Sequence, residues 1–131
     1  MRPASDPVLE HFANPRHVGS LAEDDPQVGT GMAGAPVRGG VIRMQVRVDR
    51  RGFIEDMRVK SYGGPAVIAA GSLLADWVQG RSLESVRQAD PGRLAEALAL
   101  PAVQLAAAVL AVDALRAAID DYQRRRPPDP D

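Results

Sequence analysis

The chain has 131 residues, enough for one domain with its own core, and its apolar and charged fractions of 45% and 25% are those of an ordinary globular protein. A net charge of −1 gives no electrostatic reason to expect nucleic acid or an anionic membrane as a partner. The chain contains no cysteine, which excludes disulfides, thiolate metal sites and thiol nucleophiles.

The longest apolar run covers residues 105–112, far fewer than the roughly 20 residues of a membrane-spanning helix. The segment before the first predicted helix is short and polar, unlike a secretory signal. We therefore expect a soluble, cytoplasmic protein.

The first half of the chain predicts one short helix and a hairpin. Asp6 and Pro7 have the residue types of a helix start, and this helix should end near Phe12. Residues 13–40 are rich in proline and glycine and predict a loop with one irregular strand. Apolar and polar residues then alternate over 41–49 and return over 53–61, with Phe53, Met57 and Val59 facing inward, which predicts an antiparallel hairpin.

The second half is helical. Apolar spacing predicts a helix over 65–79, and Ser82 and Asp90 are suited to cap short helices at 83–88 and 91–98. Pro101 should open a last helix that ends near Gln123, with a surface ladder of ion pairs. That ladder comprises Asp113, Arg116 and Asp120. Strands followed by helices predict an α+β fold, a small antiparallel sheet with helices packed on one face, formed by a single domain over 1–123. Residues 124–131 are expected to form a disordered tail.

Five segments carry a resemblance to a known family. They read VLEHFANPRHVG over 8–19, VGTGMAGAPVRGG over 28–40, KSYGG over 60–64, SLLADWVQG over 72–80 and LPAVQLAA over 100–107. Their order and spacing resemble those of the IscU/NifU N-terminal family, the scaffolds on which iron–sulfur clusters are assembled. The resemblance covers nearly the whole chain and implies the family's α+β fold.

All five ligand positions implied by that resemblance have changed. Arg38, Gly64 and Ala107 stand where the family has cysteine, Gly40 where it has aspartate and Ala106 where it has histidine. Clusters are held mainly by thiolates, glycine and alanine offer no donor, and a guanidinium repels cations. We therefore expect no metal and no cofactor at this site, and no sulfur transfer, because no thiol can accept a persulfide.

The emptied site suggests a pocket for an anion. If the family geometry holds, Arg38 sits in a glycine-flanked loop close to Gly64, with Gly39 beside it. The plainer interpretation is an arginine that is solvated or paired with an acid. The segment Leu100, Pro101, Val103 and Gln104 resembles the family's chaperone-recognition motif, but Gln104 replaces its lysine. Helix initiation would explain Pro101 equally well.

Other patterns are weak. Residues 29–34 satisfy GxGxxG, but a strand follows where a dinucleotide site needs a helix. His11 should be a packing histidine and His17 a solvated one, and Asp24 with Asp25 should be surface acids. The hydroxyls of Ser20, Ser61 and Ser72 have no base assigned to them by the sequence.

Two functions are open from the sequence. The first is a non-enzymatic interaction or regulatory protein that retains the scaffold fold and binds a cysteine desulfurase, a cluster-transfer chaperone or a client enzyme. The second is a binding protein or enzyme for a small anion, built around Arg38. A third, less favoured arrangement would share a cluster across a subunit interface, with ligands supplied by a partner.

Overall fold

A computed structural model describes residues 5–35 and 39–125 and confirms the α+β fold. Three antiparallel strands form a sheet in the order β1-β2-β3, and the long helices pack on one face of it. The elements are α1 (Asp6–Ala13), β1 (Val28–Ala35), β2 (Gly40–Val48), β3 (Ile54–Gly63), α2 (Pro65–Val78), α3 (Leu83–Val86), α4 (Pro91–Ala97), a 3-10 turn (Ala102–Gln104) and α5 (Leu105–Arg125).

The central strand β2 follows the predicted alternation. Met44 and its alternate neighbours are fully buried under the helices, and Met44 lies between Gly31 of β1 and Val59 of β3. The register shifts between Arg47 and Val48, and this irregularity places Ile54 in the core. The prediction that Phe53 faces inward was therefore wrong, since Phe53 is half-buried and lies against the guanidinium of Arg51.

The first strand is more regular than its composition suggested. β1 pairs with β2 over eight residues, from Val28 opposite Arg47 to Ala35 opposite Gly40. Its glycines face α5: a Cβ on Gly29 would lie 2.1 Å from the Ala118 carbonyl oxygen. Glycine here permits close packing of a helix backbone on a strand.

The loop before β1 covers the outer face of the sheet. The side-chain amide of Gln45 accepts a hydrogen bond from the Leu21 N–H at 2.7 Å and donates one to the Leu21 carbonyl at 3.1 Å. Arg47 pairs with Asp25 at 2.6 Å, and the Gln27 amide together with this guanidinium lowers the pKa of the Asp25 carboxyl. Asp25 therefore ties the loop to strand β2 through Arg47. Of the two residues expected to be surface acids, only Asp24 is exposed.

The helix ends were predicted in part. Ser82 and Asp90 cap α3 and α4 as expected, each accepting a backbone N–H bond. The cap of α1 is Ser5, one residue before the predicted Asp6, and its hydroxyl accepts from the Val8 amide at 3.2 Å. Pro101 precedes the 3-10 turn, so α5 begins only at Leu105.

Helix α5 is the central helix of the core. It is long and apolar enough to cross a membrane by composition alone, but nine of its residues are buried, and it packs along β1 and β2. The predicted ion-pair ladder is wrong, because the Arg116 guanidinium donates to the Ala89 carbonyl at 3.1 Å instead of pairing within the helix. The helix continues to Arg125, two residues beyond the predicted domain end, and the rest of the predicted tail lies outside the described residues.

Candidate functional site

The first two of the three segments that hold the family's ligand positions meet where β2 begins and β3 ends. Gly40 of β2 pairs directly with Gly63 of β3. A Cβ added to Gly63 would lie 2.7 Å from the Gly39 carbonyl oxygen, so these backbones are in close contact. Gly64 follows as the N-cap of α2 and offers no side-chain cap. The structure thus brings Gly39, Gly40 and Gly64 to one end of the sheet.

The course of α5 carries the third segment to the same end. Ala118 lies against Gly29 and Gly31, and the Leu110 side chain lies 2.7 Å from the position that a Cβ on Gly34 would take. Each successive turn of α5 towards its N-terminus therefore packs against a residue further along β1. Ala106 and Ala107 belong to the next turn beyond Leu110, past the end of the described strand. Ala107 is buried and Ala106 is exposed.

This donor set does not fit an iron–sulfur cluster or zinc. Four of the five family ligand positions are described, and their residues, glycine or alanine in each case, carry no donor atom on the side chain. These positions are Gly40, Gly64, Ala106 and Ala107. In the parts of the chain that the structure describes, no three His, Asp or Glu side chains come together as metal ligands. The fifth position, Arg38, lies outside the described residues.

The glycines at this end of the sheet differ in the space around them. A Cβ on Gly39 or Gly64 would meet no atom within 4 Å, whereas one on Gly40 would come within 3.0 Å of a Val67 methyl. Gly39 adopts a φ of +94°, a conformation that favours glycine. Three cavities, of about 610, 340 and 230 Å³, are lined by other residues. The anion pocket at Arg38, Gly39 and Gly64 stays a prediction.

A buried polar cluster joins α1 to α2 near this end. His11 Nδ1 lies 2.8 Å from the Ser72 hydroxyl, which also accepts the Arg16 amide at 2.8 Å. The Arg16 guanidinium donates to the same ring nitrogen at 3.1 Å and pairs with Glu10. His11 is thus a satisfied packing histidine, as predicted. The sequence did not place Ser72 against it, because the two are brought together only by helix packing.

The environment of His11 favours its neutral form. An arginine cannot accept a proton or a hydrogen bond, so Nδ1 must be the acceptor and Nε2 carries the hydrogen. Burial is the main cause that lowers the pKa of His11 below its ordinary value, and the nearby Arg16 charge adds to it.

We expect the protein to lose stability as the pH falls through about 6.5, the ordinary histidine pKa. Because the folded pKa of His11 is lowered, the unfolded chain binds more protons in this range, and the free energy of unfolding decreases with falling pH. Urea unfolding between pH 7.5 and 5.5 measures this slope. A His11→Asn variant should show a shallower slope, whereas an unchanged slope would refute the assignment to His11.

His17 is not the solvated residue that was expected. Its Nε2 lies 3.2 Å from the Asp76 carboxylate, and its side chain is only 15% exposed. This pair and the bond from Arg16 to Ser72 connect the family-like segment at 8–19 with the one at 72–80. Mutual support within the fold explains why both segments keep the family pattern.

The segment that resembles a chaperone motif is on the surface. Val103 is 90% exposed at the 3-10 turn, and Leu105 and Val109 follow it with 45% exposure each. Pro101 precedes the turn, whose first hydrogen bond runs from the Gln104 amide to the Pro101 carbonyl at 2.8 Å. The chain therefore presents an apolar stripe, Val103, Leu105 and Val109, beside the vacated ligand positions Ala106 and Ala107.

The comparisons with known proteins agree with this geometry. The family model described as "NifU-like N terminal domain" matches residues 4–128. The iron-sulfur cluster assembly scaffold protein IscU of Azotobacter vinelandii is 47% identical over 122 residues, covering 93% of this chain and 95% of that protein. IscU of Escherichia coli strain K12 is 44% identical, with 93% and 95% covered.

Solved structures are similar in fold. The crystal structure of a NifU-like protein (N-terminal) from Brucella abortus superposes with a TM-score of 0.71 at 19% identity. The alignment covers 92% of this chain and 94% of that one. A hypothetical protein of known structure aligns with a TM-score of 0.69 at 26% identity, covering 87% and 94%.

Proposed function

The chain belongs to the NifU-like N-terminal domain family, and from this premise we propose that it is a member that has exchanged cluster assembly for protein binding. It binds a protein of cluster assembly without accepting sulfur or holding a cluster, and so regulates that protein's availability. The candidates are a cysteine desulfurase, a cluster-transfer chaperone and a client enzyme. It acts in the cytoplasm and is not itself an enzyme.

The observation that carries this proposal is the contrast between ligands and framework. Identity to scaffold proteins reaches 47% and extends over nearly the whole chain, yet each described ligand position lacks a donor atom. A protein that still assembled clusters would need thiolates or substitutes for them. A protein that only occupies a scaffold's place on a partner needs the surface and not the ligands.

The exposed apolar stripe supports binding to a protein. Val103, Leu105 and Val109 are large apolar residues in one short segment and are at least 45% exposed. Leu105 and Val109 are four residues apart on α5 and so share one face of the helix, and clustered exposed apolar residues are typical of protein contacts. The neighbouring Gln104 lacks the charge of the family's lysine, which favours a partner other than the chaperone.

A competition experiment tests the proposal. Purified protein is added to a reaction in which a cysteine desulfurase builds a cluster on an IscU-type scaffold from iron and cysteine. We expect cluster formation to slow as the protein is added and to recover when the scaffold is raised in excess. A Val103→Ser/Val109→Ser variant should inhibit less than the wild type. No inhibition at a large molar excess would overturn the role in cluster biogenesis.

The second candidate function is binding of a small anion near Arg38, Gly39 and Gly64. The open space at Gly39 and Gly64 and the N-terminus of α2, which has no side-chain cap, favour it. An Arg38→Ala change separates the two functions, because it should abolish anion binding and leave inhibition of cluster assembly largely intact.

A further inference from the structure

The largest cavity described above lies away from the vacated ligand site, between the C-terminal end of α2 and the short helices α3 and α4. Its volume is about 610 Å³, within the usual range of binding pockets. The apolar residues of the lining include Leu74, Val78 and Val86, which are buried and which we call the floor, and the half-buried Trp77. The polar residues that line it are Arg81, Ser85, Gln88, Asp90 and Arg93. We call this the α2–α4 cleft.

The two arginines of the α2–α4 cleft are available for a ligand. Arg81 donates through Nε to the Trp77 carbonyl at 2.8 Å, which orients its guanidinium, and the terminal nitrogens make no hydrogen bond within residues 5–35 and 39–125. No carboxylate in the described parts of the chain lies within 4.0 Å of Arg81 or Arg93. The single acid of the lining, Asp90, accepts the Gly92 amide as the cap of α4.

Neighbouring residues extend this positive surface. Arg87 and Arg116 line an adjoining hollow and donate to neutral oxygens, of the Gln123 side chain and the Ala89 carbonyl. Asp120 shares that hollow without forming an ion pair with either arginine among the described residues. On the outer face of the sheet, Arg43, Arg47 and Arg58 each pair with an acid, whereas Lys60 forms no ion pair among the described residues. The α2–α4 cleft and the adjoining hollow together are lined by four arginines without an ion pair in the described ranges and by two carboxylates, so arginine is in excess there.

We infer that the α2–α4 cleft binds an acidic, apolar segment of the partner protein, with its carboxylates on Arg81 and Arg93 and its apolar side chains on the floor. Guanidinium groups bind carboxylates through paired hydrogen bonds. Ser85 and Gln88 can satisfy peptide groups, and the apolar floor suits side chains that a simple anion lacks. This inference rests on the proposed function, because it assigns the partner a binding site and a charge.

Trp77 provides the measurement, because it is the single tryptophan of the chain and lines the cleft. Its fluorescence can be titrated with an eight-residue peptide that alternates glutamate and leucine. We expect a saturable change with this peptide that weakens as salt is raised, and none with the matched lysine–leucine peptide. When each ion is compared with its quenching of free tryptophan, iodide should be relatively more efficient at Trp77 than caesium, because the arginines attract anions to the cleft.

Two double variants complete the experiment. Arg81→Gln/Arg93→Gln should weaken binding of the acidic peptide about tenfold or more and reduce quenching by iodide. Arg58→Gln/Lys60→Gln removes two cations from the outer sheet face and should change neither result. An equal response of both variants would overturn the inference, as would an equal response of wild type to inorganic phosphate alone, which would indicate a small-anion site. Failure of the competition experiment with intact peptide binding would refute the proposed function alone.

Discussion

A variant with all five family ligands restored is expected to bind metal, and the wild type is expected to bind none. The changes are Arg38→Cys, Gly40→Asp, Gly64→Cys, Ala106→His and Ala107→Cys. The described residues have the family fold, and the four described ligand positions lack side-chain donor atoms. With three thiolates, an imidazole and a carboxylate, the variant should take up roughly one zinc per chain or form a coloured cluster on anaerobic reconstitution with iron and sulfide.

The structure indicates which of these changes the site accepts easily. A side chain at Gly64 enters open space, and the φ of −75° there suits any residue. Aspartate at Gly40 requires Val67 to move by a few tenths of an ångström. A control variant with serine at the three cysteine positions should stay colourless. Equal metal uptake by the wild type and the restored variant would contradict our interpretation of the site.

The second large effect concerns stability. Gly31→Ala is expected to lower the free energy of unfolding by about 3 kcal/mol or more, beyond the usual cost of overpacking. Its Cβ would lie 2.1 Å from the Ala118 nitrogen and 2.4 Å from the Ala114 oxygen. Both are backbone atoms of α5, so relief requires the central helix to separate from β1, and the core would lose contacts.

Gly64→Ala is the matched control for this prediction. It adds the same methyl group at a position where the new Cβ would meet no atom within 4 Å, so the remaining cost is the lower preference for alanine at an N-cap. We expect its effect to stay within about 1 kcal/mol in urea unfolding. Similar losses for Gly31→Ala and Gly64→Ala would show that close packing of α5 on β1 is not what requires glycine at 31.

Local patterns in the sequence predicted the elements whose cause is local. The alternation in β2 and the caps Ser82 and Asp90 depend on neighbours in the chain, and the structure confirms them. The regularity of β1 was missed because glycine usually indicates a loop. At Gly29 and Gly31, glycine is needed because the backbone of α5, which is distant in the sequence, packs too close to leave room for a Cβ.

The sequence predicted which residues occupy the site, but not how side chains from different elements contact one another. The loss of donors at Gly64 and Ala107 follows from the sequence, whereas the bond between His11 and Ser72 depends on how α1 packs on α2. The α2–α4 cleft was missed for the same reason. Arg81 lies in the turn between α2 and α3 and Arg93 lies in α4, and the packing of these segments brings both to one cavity.

The retained motifs alone do not establish protein binding, because their contacts serve the fold. His17 binds Asp76, and Arg16 binds Ser72, so both segments would persist in a protein with no partner. The proposal rests instead on the missing donors beside an exposed apolar stripe, and it needs a direct measurement of association.

That measurement is light scattering, coupled to size-exclusion chromatography, of the wild-type protein mixed with each candidate partner in the absence of iron. We expect a stoichiometric complex with the cysteine desulfurase, the cluster-transfer chaperone or the client enzyme, and no sulfur on this chain after cysteine is added, because it has no thiol. Failure to form a complex with any of the three would contradict the proposal that this scaffold fold has been retained to bind a protein of cluster assembly.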